Sequence, residues 1–197
     1  MFNLPYSING SSYKQNNFKK KNYLKFIFVG QLIERKGIDI LLDAFIKLNN
    51  SLIKDRFEIN IIGDGPQKKL VQNFSGKFHN LNYYGFISPN KLPSIIRKNH
   101  ILILPSRSEG WGVVVNEAMA CGLALILSIN MEITKDFFKE HVNGLIVKNT
   151  PDSLYDKMKY MIKNMNKVRQ MGKKNYKLFK SSKLNSKISS KFFINKI

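Results

Sequence analysis

Two glutamates and two glycines stand together in SEGWGVVVNEAMACG, residues 108–122. Glu109 and Glu117 lie eight positions apart, and Gly110 and Gly112 follow the first of them. An ionised carboxylate only accepts hydrogen bonds, so it can bind two vicinal hydroxyl groups of a sugar. Glycines let the backbone approach a ligand, and the helix expected after them directs free N–H groups to the same place. The pattern is therefore compatible with two sugar rings held across a phosphate.

Other interpretations of these two acids remain open from the residues alone. Glu109 can be an acid that the helix dipole favours at a helix start, with Glu117 as a surface residue. A paired-carboxylate hydrolase is a further alternative, and it needs both groups on the two sides of one bond. The glycine-rich, anion-binding turn between the two acids favours recognition of phosphate and hydroxyl groups over that hydrolase.

A second candidate segment is GQLIERKG, residues 30–37, between an apolar run and a helical pattern. It brings Arg35 and Lys36 to the expected helix N-terminus, where free N–H groups and the dipole attract a diphosphate. Arg supplies a bidentate fork and Lys a point charge. A solvated loop with two exposed cations is the competing interpretation. The nearby turn IIGDGPQ (61–67) lacks the GxGxxG fingerprint and is interpreted mainly as a tight turn.

Metal, disulfide and nucleophile chemistry have little support in the sequence. The three histidines, at positions 79, 100 and 141, have no metal-ligand spacing, so no metal site is expected. We interpret His100, at the start of an apolar run, as structural. Cys121 is the single cysteine, which excludes an internal disulfide and indicates core packing in a reducing compartment.

The composition is that of a basic globular domain. The chain has 197 residues, 43% of them hydrophobic, and a net charge of +20. Such a charge attracts phosphates, acidic lipid surfaces and nucleic acid; abundant Lys, Asn and Ile, typical of AT-rich genomes, are an alternative cause. The sequence lacks an apolar run of the ~18–20 residues that span a membrane. Since Met1–Asn9 has no signal-peptide pattern, a cytoplasmic location is expected.

Alternating strand and helix patterns must position these candidates. Strands are predicted at 23–30, 57–63, 80–86, 100–105, 123–128 and 143–147, and helices at 36–49, 66–77, 113–121 and from Thr150. The alternation predicts an α/β fold with a single Rossmann-like, doubly wound parallel sheet. Ligands bind at the carboxyl ends of such strands, which is where both candidate segments lie. Residues 1–22 are interpreted as a linker or arm, 23–181 as the domain, and 182–197 as a basic C-terminal tail.

Five motifs in register resemble the C-terminal, donor-binding domain of the GT-B glycosyltransferases of retaining family 4 (glycosyl transferases group 1). They are GQLIERKG, GDGP, YYGFI, LPSRSEGWGVVVNEAMACG and VNGLIV, and they cover roughly residues 22–180. The resemblance implies the C-terminal half of a GT-B fold that binds a nucleotide-sugar. It also implies retaining, metal-independent transfer from a UDP- or GDP-sugar, without a cofactor, to a glycan or a lipid-linked acceptor.

The resemblance assigns roles to particular residues. Lys36 is expected to contact the donor diphosphate, with help from Arg35, and Glu109 to bind the transferred sugar near its reacting carbon, so Lys36 and Glu109 are the catalytic candidates. Glu117 is expected to bind the ribose hydroxyls. The remaining substrate-binding candidates are the nucleobase neighbours Phe86 and Ile87, the loop residues Gly110, Trp111, Gly112 and Val113, and Gln31.

The chain departs from the family pattern in two respects. Gln31 stands where the family often has an arginine that binds the diphosphate. The N-terminal domain that binds the acceptor is expected to be missing, so a separate chain is expected to supply it. The alternative is a truncated, non-catalytic remnant that folds and binds nucleotide without transfer. An anionic membrane is a further expected peripheral partner, and nucleic acid is not an expected partner.

Overall fold

The computed structural model describes residues 8–9, 13–15, 22–136, 138–182 and 184. In this part of the chain a parallel sheet has six strands in the order β3-β2-β1-β4-β5-β6. The strands are β1 (Leu24–Val29), β2 (Phe57–Ile62), β3 (Leu81–Tyr83), β4 (Ile101–Leu104), β5 (Ala124–Ser128) and β6 (Gly144–Val147). The predicted α/β, doubly wound, Rossmann-like sheet is confirmed, although β3 is shorter than the pattern at 80–86 indicated.

The strand order creates one crevice at the carboxyl edge of the sheet. The chain winds outward from β1 to β3, returns to place β4 beside β1, and winds outward again through β5 to β6. The loops that leave β1 and β4 lead to helices on opposite faces of the sheet, and ligands of open α/β sheets bind at such a reversal. The two candidate segments of the sequence are those two loops.

Helices cover both faces of the sheet. They are α1 (Ile38–Asn49), α2 (Lys68–Lys77), α3 (Leu92–Ile96), α4 (Val113–Ala120), α5 (Ile133–Asp136), α6 (Pro151–Lys163) and α7 (Met165–Ser181). Every residue of β4 and β5 is buried, as in a parallel sheet with helices on either side. α1 packs on α6, and α4 packs on α7.

Local capping explains where two of these helices begin. Thr150 is the N-cap of α6, its side chain accepts a hydrogen bond from Ser153 N at 3.3 Å, and Pro151 is the first helical residue. α1 begins at Ile38 and not at the predicted position 36, because Gly37 has a φ of 70° and interrupts the helical backbone.

Helix α7 is held against the sheet by hydrogen bonds of two buried asparagine side chains. Asn175 of α7 donates to Leu123 O at 2.7 Å and to Asn143 O at 2.8 Å, and Asn143 donates back to Asn175 Oδ1 at 2.8 Å. A Cβ on Gly144 would lie 2.0 Å from Leu125 O. The NG pair of the VNGLIV motif therefore serves packing.

The structure describes only parts of the arm and of the tail. Ile8 N donates to Leu184 O at 3.0 Å, which joins the arm to the segment after α7. The predicted basic tail beyond Leu184 and most of the predicted arm (1–7, 10–12 and 16–21) lie outside the described residues.

Candidate functional site

The loop after β1 is shaped by its contact with the loop after β4. Residues Glu34–Lys36 form one 3₁₀ turn, and Gly37 follows with a left-handed backbone. A Cβ at position 37 would lie 2.3 Å from Pro105 O, so only glycine lets the two loops approach this closely. The side chains of the turn are thereby held beside the second loop.

Arg107 and Arg35 bind the two loops to each other. Arg107 N donates to Arg35 O at 2.8 Å, and Arg35 Nη1 donates to Ser108 O at 2.9 Å. The Arg107 guanidinium also donates to Glu34 O at 2.6 Å and forms two bonds of 2.8 and 2.5 Å with the carboxylate of Asp39. Hydrogen bonding to Arg107 lowers the pKa of Asp39. These hydrogen bonds join the two loops into one wall of the crevice.

The Arg107–Asp39 pair was not found by sequence reasoning. Arg107 lies inside a motif whose expected ligand contacts were the two acids and residues 110–113, and Arg107 and Asp39 are 68 positions apart. The predicted diphosphate contact Arg35 is exposed, and its guanidinium bonds to Ser108 O in this structure.

The catalytic candidates Lys36 and Glu109 meet in the crevice. Lys36 Nζ forms an ion pair with Glu109 Oε2, and the side chains are only 16% and 12% exposed. They come from loops that leave different strands, 73 positions apart in the chain. Partial exclusion of water strengthens their interaction with each other and with any charged ligand. The geometry brings a cation and a hydrogen-bond acceptor to one point.

Glu117 lies one turn into α4. α4 begins after Gly112, whose φ of 69° turns the chain from the loop into the helix. Tyr13 of the arm donates its hydroxyl hydrogen to Glu117 Oε1 at 2.7 Å. Burial raises the pKa of Glu117, and the Tyr13 hydrogen bond opposes that increase. Sequence reasoning missed Tyr13, because the arm has no period and is 104 positions away.

The loop that precedes α4 is held in place by hydrogen bonds to neighbouring residues. Gly110 is exposed, and its carbonyl accepts a hydrogen bond from Glu132 N at 3.2 Å. Trp111 is partly buried against the core and donates from Nε1 to Asn116 Oδ1 at 3.2 Å. Val113, the first residue of α4, is 41% exposed. The backbone of the predicted loop residues and the first residue of α4 therefore face the crevice. The side chain of Trp111 packs against the core and holds this loop in place.

The other predicted contacts lie on two different segments of the chain. Phe86 follows β3 and is 72% exposed, which is unusual for a phenylalanine, while Ile87 packs partly against the core. Gln31 is exposed on the first loop. No hydrogen bond or ion pair joins these three side chains to Lys36, Glu109 or Glu117 within the residues described.

The GDGP turn after β2 has a structural task. A Cβ on Gly63 would lie 1.8 Å from Gly30 O, and Leu32 N donates to Asp64 O at 2.9 Å. The Asp64 side chain accepts from Gly65 N at 2.8 Å. This turn supports the first loop from behind, in agreement with its interpretation as a tight turn.

His100 and Cys121 are buried away from solvent. His100 Nδ1 accepts from Lys25 N at 3.0 Å, and burial lowers the pKa of His100 to about 4. Burial raises the pKa of the Cys121 thiol to about 12. Among the residues described, no three His, Cys, Asp or Glu side chains are grouped to hold a metal ion. The helices of the described ranges are each too short or too polar to cross a membrane.

Relatives of known sequence agree with this description. Residues 11–178 match the family of glycosyl transferases group 1. An uncharacterized glycosyltransferase of Methanocaldococcus jannaschii is 35% identical over 156 residues, 77% of this chain and 42% of that protein. The GtfA subunit of a UDP-N-acetylglucosamine–peptide N-acetylglucosaminyltransferase of Streptococcus agalactiae is 25% identical over 144 residues, 73% of this chain and 28% of that protein. The chain thus spans less than half the length of these relatives.

Solved structures share the fold. The C-terminal domain of the group 1 glycosyl transferase LpcC from Francisella tularensis superposes with a TM-score of 0.77 at 18% identity, over 89% of this chain and 98% of that domain. The pneumococcal O-GlcNAc transferase GtfA, solved with UDP and GlcNAc, gives a TM-score of 0.74 at 21% identity, over 96% of this chain and 38% of that protein. The chain belongs to the glycosyl transferases group 1 family, and it has the fold of the C-terminal domain of a GT-B glycosyltransferase.

Proposed function

We propose that this chain is the donor-binding domain of a retaining glycosyltransferase and that it binds a UDP- or GDP-sugar in the crevice between β1 and β4. The observation that carries the proposal is the meeting of Lys36 and Glu109 at the reversal point of the sheet. Glu117 lies one turn further along α4. A cation and two carboxylates are what a diphosphate with a sugar on either side requires.

Each group has a distinct task in this proposal. Lys36 and the first N–H groups of α4 bind the diphosphate, and Glu109 accepts hydrogen bonds from the transferred sugar. In the transfer the bond from the anomeric carbon to the diphosphate oxygen breaks, with both electrons going to the diphosphate. The acceptor hydroxyl oxygen bonds to that carbon on the same face, and its proton passes to the departing phosphate. Lys36 offsets that developing charge, so it stabilises the transition state more than the ground state. Entry of the donor exchanges the Lys36–Glu109 ion pair for contacts with phosphate and hydroxyl groups.

The nucleoside end lies toward Glu117 and Phe86. Glu117 accepts from the ribose hydroxyls, and the exposed ring of Phe86, with Ile87 beside it, offers an apolar surface for the base. The pneumococcal GtfA structure contains UDP and GlcNAc, which makes uridine nucleotides the first donors to test. Gln31 and Arg35 provide hydrogen-bond donors at the diphosphate edge.

Transfer also needs a site for the acceptor. We propose a glycan or lipid-linked acceptor, bound by an acceptor domain in the same protein or in a separate chain, in the cytoplasm or at an anionic membrane surface. A protein that binds the donor but transfers nothing with any acceptor domain is the second candidate function. Donor turnover with a candidate acceptor domain, measured with and without EDTA, distinguishes the two and tests independence from metal ions.

Donor binding can be tested with a matched pair of lysine variants. We expect Lys36→Ala to weaken binding of UDP and UDP-sugars at least tenfold, about 1.4 kcal/mol, because a largely buried cation is lost from the diphosphate. Titration calorimetry with UDP, GDP and their sugars measures this.

The control is Lys25→Ala. Lys25 also forms an ion pair, with Glu58 at 2.8 Å, but it lies at the amino end of β1, away from the crevice. Equal losses in both variants would mean that overall charge and not a site attracts the nucleotide. A folded wild-type chain that binds no nucleotide would contradict the proposal.

A further inference from the structure

The arm residue Tyr13 reaches the carboxylate assigned to the ribose. Its hydroxyl donates to Glu117 Oε1 at 2.7 Å, and both side chains are partly buried. Gln15 of the arm also lies close to this helix: a Cβ on Gly122, just after α4, would lie only 3.1 Å from Gln15 Cγ. The arm therefore passes over the end of α4 and makes a specific polar contact with the helix.

We propose that Tyr13 is a positioning residue of the donor site, holding Oε1 of Glu117 so that Oε2 accepts hydrogen bonds from the ribose. The inference rests on the proposed function, because it names the group that orients a carboxylate of that site. Tyr13 itself does not contact the donor.

The need for such a residue follows from the flexibility of glutamate. A partly buried glutamate side chain has several rotatable bonds, and orienting it costs entropy when the ligand binds. A hydrogen bond from the protein orients the carboxylate before the ligand binds, so that less entropy is lost on binding. It also leaves the second carboxylate oxygen for the ligand. Tyr13 occupies one oxygen, and a carboxylate has acceptor sites on both.

The contact also favours the charged form of Glu117. Burial raises the pKa of Glu117, which disfavours the carboxylate, and the Tyr13 hydrogen bond acts in the opposite direction. Burial and the nearby carboxylate raise the pKa of Tyr13, so its hydroxyl stays protonated and remains a donor. Among the residues described, Cys121 at the end of α4 is another titratable group near Glu117, and burial raises the pKa of its thiol to about 12, with Arg97 nearby. Neither Tyr13 nor Cys121 titrates near neutral pH.

The test compares Tyr13→Phe with Tyr23→Phe in the full chain. Tyr23 donates to Glu58 Oε2 at 3.1 Å, so the control removes the same hydroxyl–carboxylate bond at the opposite edge of the sheet. Calorimetry with UDP and 2′-deoxy-UDP should show that Tyr13→Phe weakens UDP binding five- to thirtyfold. The preference for UDP over the deoxy compound should shrink toward one, and Tyr23→Phe should change neither.

Two further readouts separate positioning from a general structural role. The acid limb of the UDP affinity should move to higher pH in Tyr13→Phe, because Glu117 then protonates more easily. Tyr13→Phe should also add little to Glu117→Gln in the double variant, because both changes act on one group.

The possible results are distinguishable. Failure of the wild type to bind UDP overturns the proposed function and this inference together. Normal UDP binding with unchanged affinity and ribose preference in Tyr13→Phe overturns the inference alone. Tighter binding by Tyr13→Phe would also overturn it, because the arm would then compete with the ribose.

Discussion

Burial sets the protonation state of individual side chains in this domain. His100 is buried and accepts a hydrogen bond from Lys25 N through Nδ1. Burial disfavours the protonated ring, and the positive charge of Lys25 acts in the same direction, so the pKa of His100 is lowered to about 4. Glu117 is affected in the opposite direction, because burial disfavours its negative form. His100 therefore contributes to the stability of the fold, whereas the protonation state of Glu117 depends on neighbouring groups such as Tyr13.

His100 makes the domain sensitive to acid. The unfolded chain binds a proton near the ordinary His pKa of ~6.5, whereas the folded chain does so only near pH 4. The free energy of unfolding should therefore be unaffected above pH 7 and fall by about 3 kcal/mol between pH 6.5 and 4. Urea unfolding at a series of pH values measures the slope.

The variant His100→Asn keeps an acceptor for Lys25 N and cannot be protonated. It should lose that part of the slope, and His79→Gln should keep it. An unchanged slope in His100→Asn would show that other groups account for the acid sensitivity.

Secondary-structure elements control the site through the loops that join them. β1 and β4 are neighbours, so the residues that follow them are within hydrogen-bonding distance, and Gly37 allows the close approach to Pro105. Arg107, Arg35 and Asp39 then connect the two loops. The position of Lys36 relative to Glu109 depends on this backbone contact as much as on the two side chains.

Replacing Gly37 tests the loop contact. Gly37→Ala should lower the free energy of unfolding by about 2 kcal/mol or more, because alanine at a positive φ is strained and its Cβ meets Pro105 O. Donor affinity should fall with it, because the loops must separate. The matched control is Gly76→Ala in α2, where an added Cβ meets no atom within 4 Å. That variant should be neutral or stabilising by up to ~1 kcal/mol, and equal destabilisation of both proteins in urea would contradict the explanation.

At the scale of the whole molecule, a group of the positive charges lies together on one helix. The net charge is +20, and one long helix, α7, presents exposed lysines Lys167, Lys173, Lys174, Lys177 and Lys180. These lysines lie on a helix whose buried residues pack on the domain, so their charges face outward together. A surface of this kind suits attraction to an anionic membrane at ~1 kcal/mol per lysine.

Vesicle flotation tests whether this charge has a partner. Wild-type protein should float with phosphatidylglycerol vesicles at low salt and not with phosphatidylcholine vesicles. The triple variant Lys173→Glu, Lys174→Glu and Lys177→Glu should lose most of this binding, whereas Lys54→Glu, Lys69→Glu and Lys91→Glu, an equal charge change at dispersed exposed positions, should retain it. If the wild type does not float, an AT-rich genome remains as the explanation of the positive net charge.

Local patterns in the chain were sufficient to predict the architecture and the positions of the candidates along it. The alternation of apolar runs with amphipathic segments predicted the parallel sheet, because each element must bury its own apolar face. Lys36, Glu109 and Glu117 were placed on segments that follow strands, and the structure puts them there. Exact element ends were less accessible, since α1 starts two residues late for a reason that lies in another loop.

The contacts within the site depended on packing that local patterns do not contain. The Lys36–Glu109 pair joins residues 73 positions apart, and Tyr13 and Glu117 are 104 apart. Such pairs exist only because the strand order places β4 beside β1 and because the arm returns over α4. Residue type and spacing therefore indicated which groups we propose to bind a donor, and the folded chain decided which partners contact those groups.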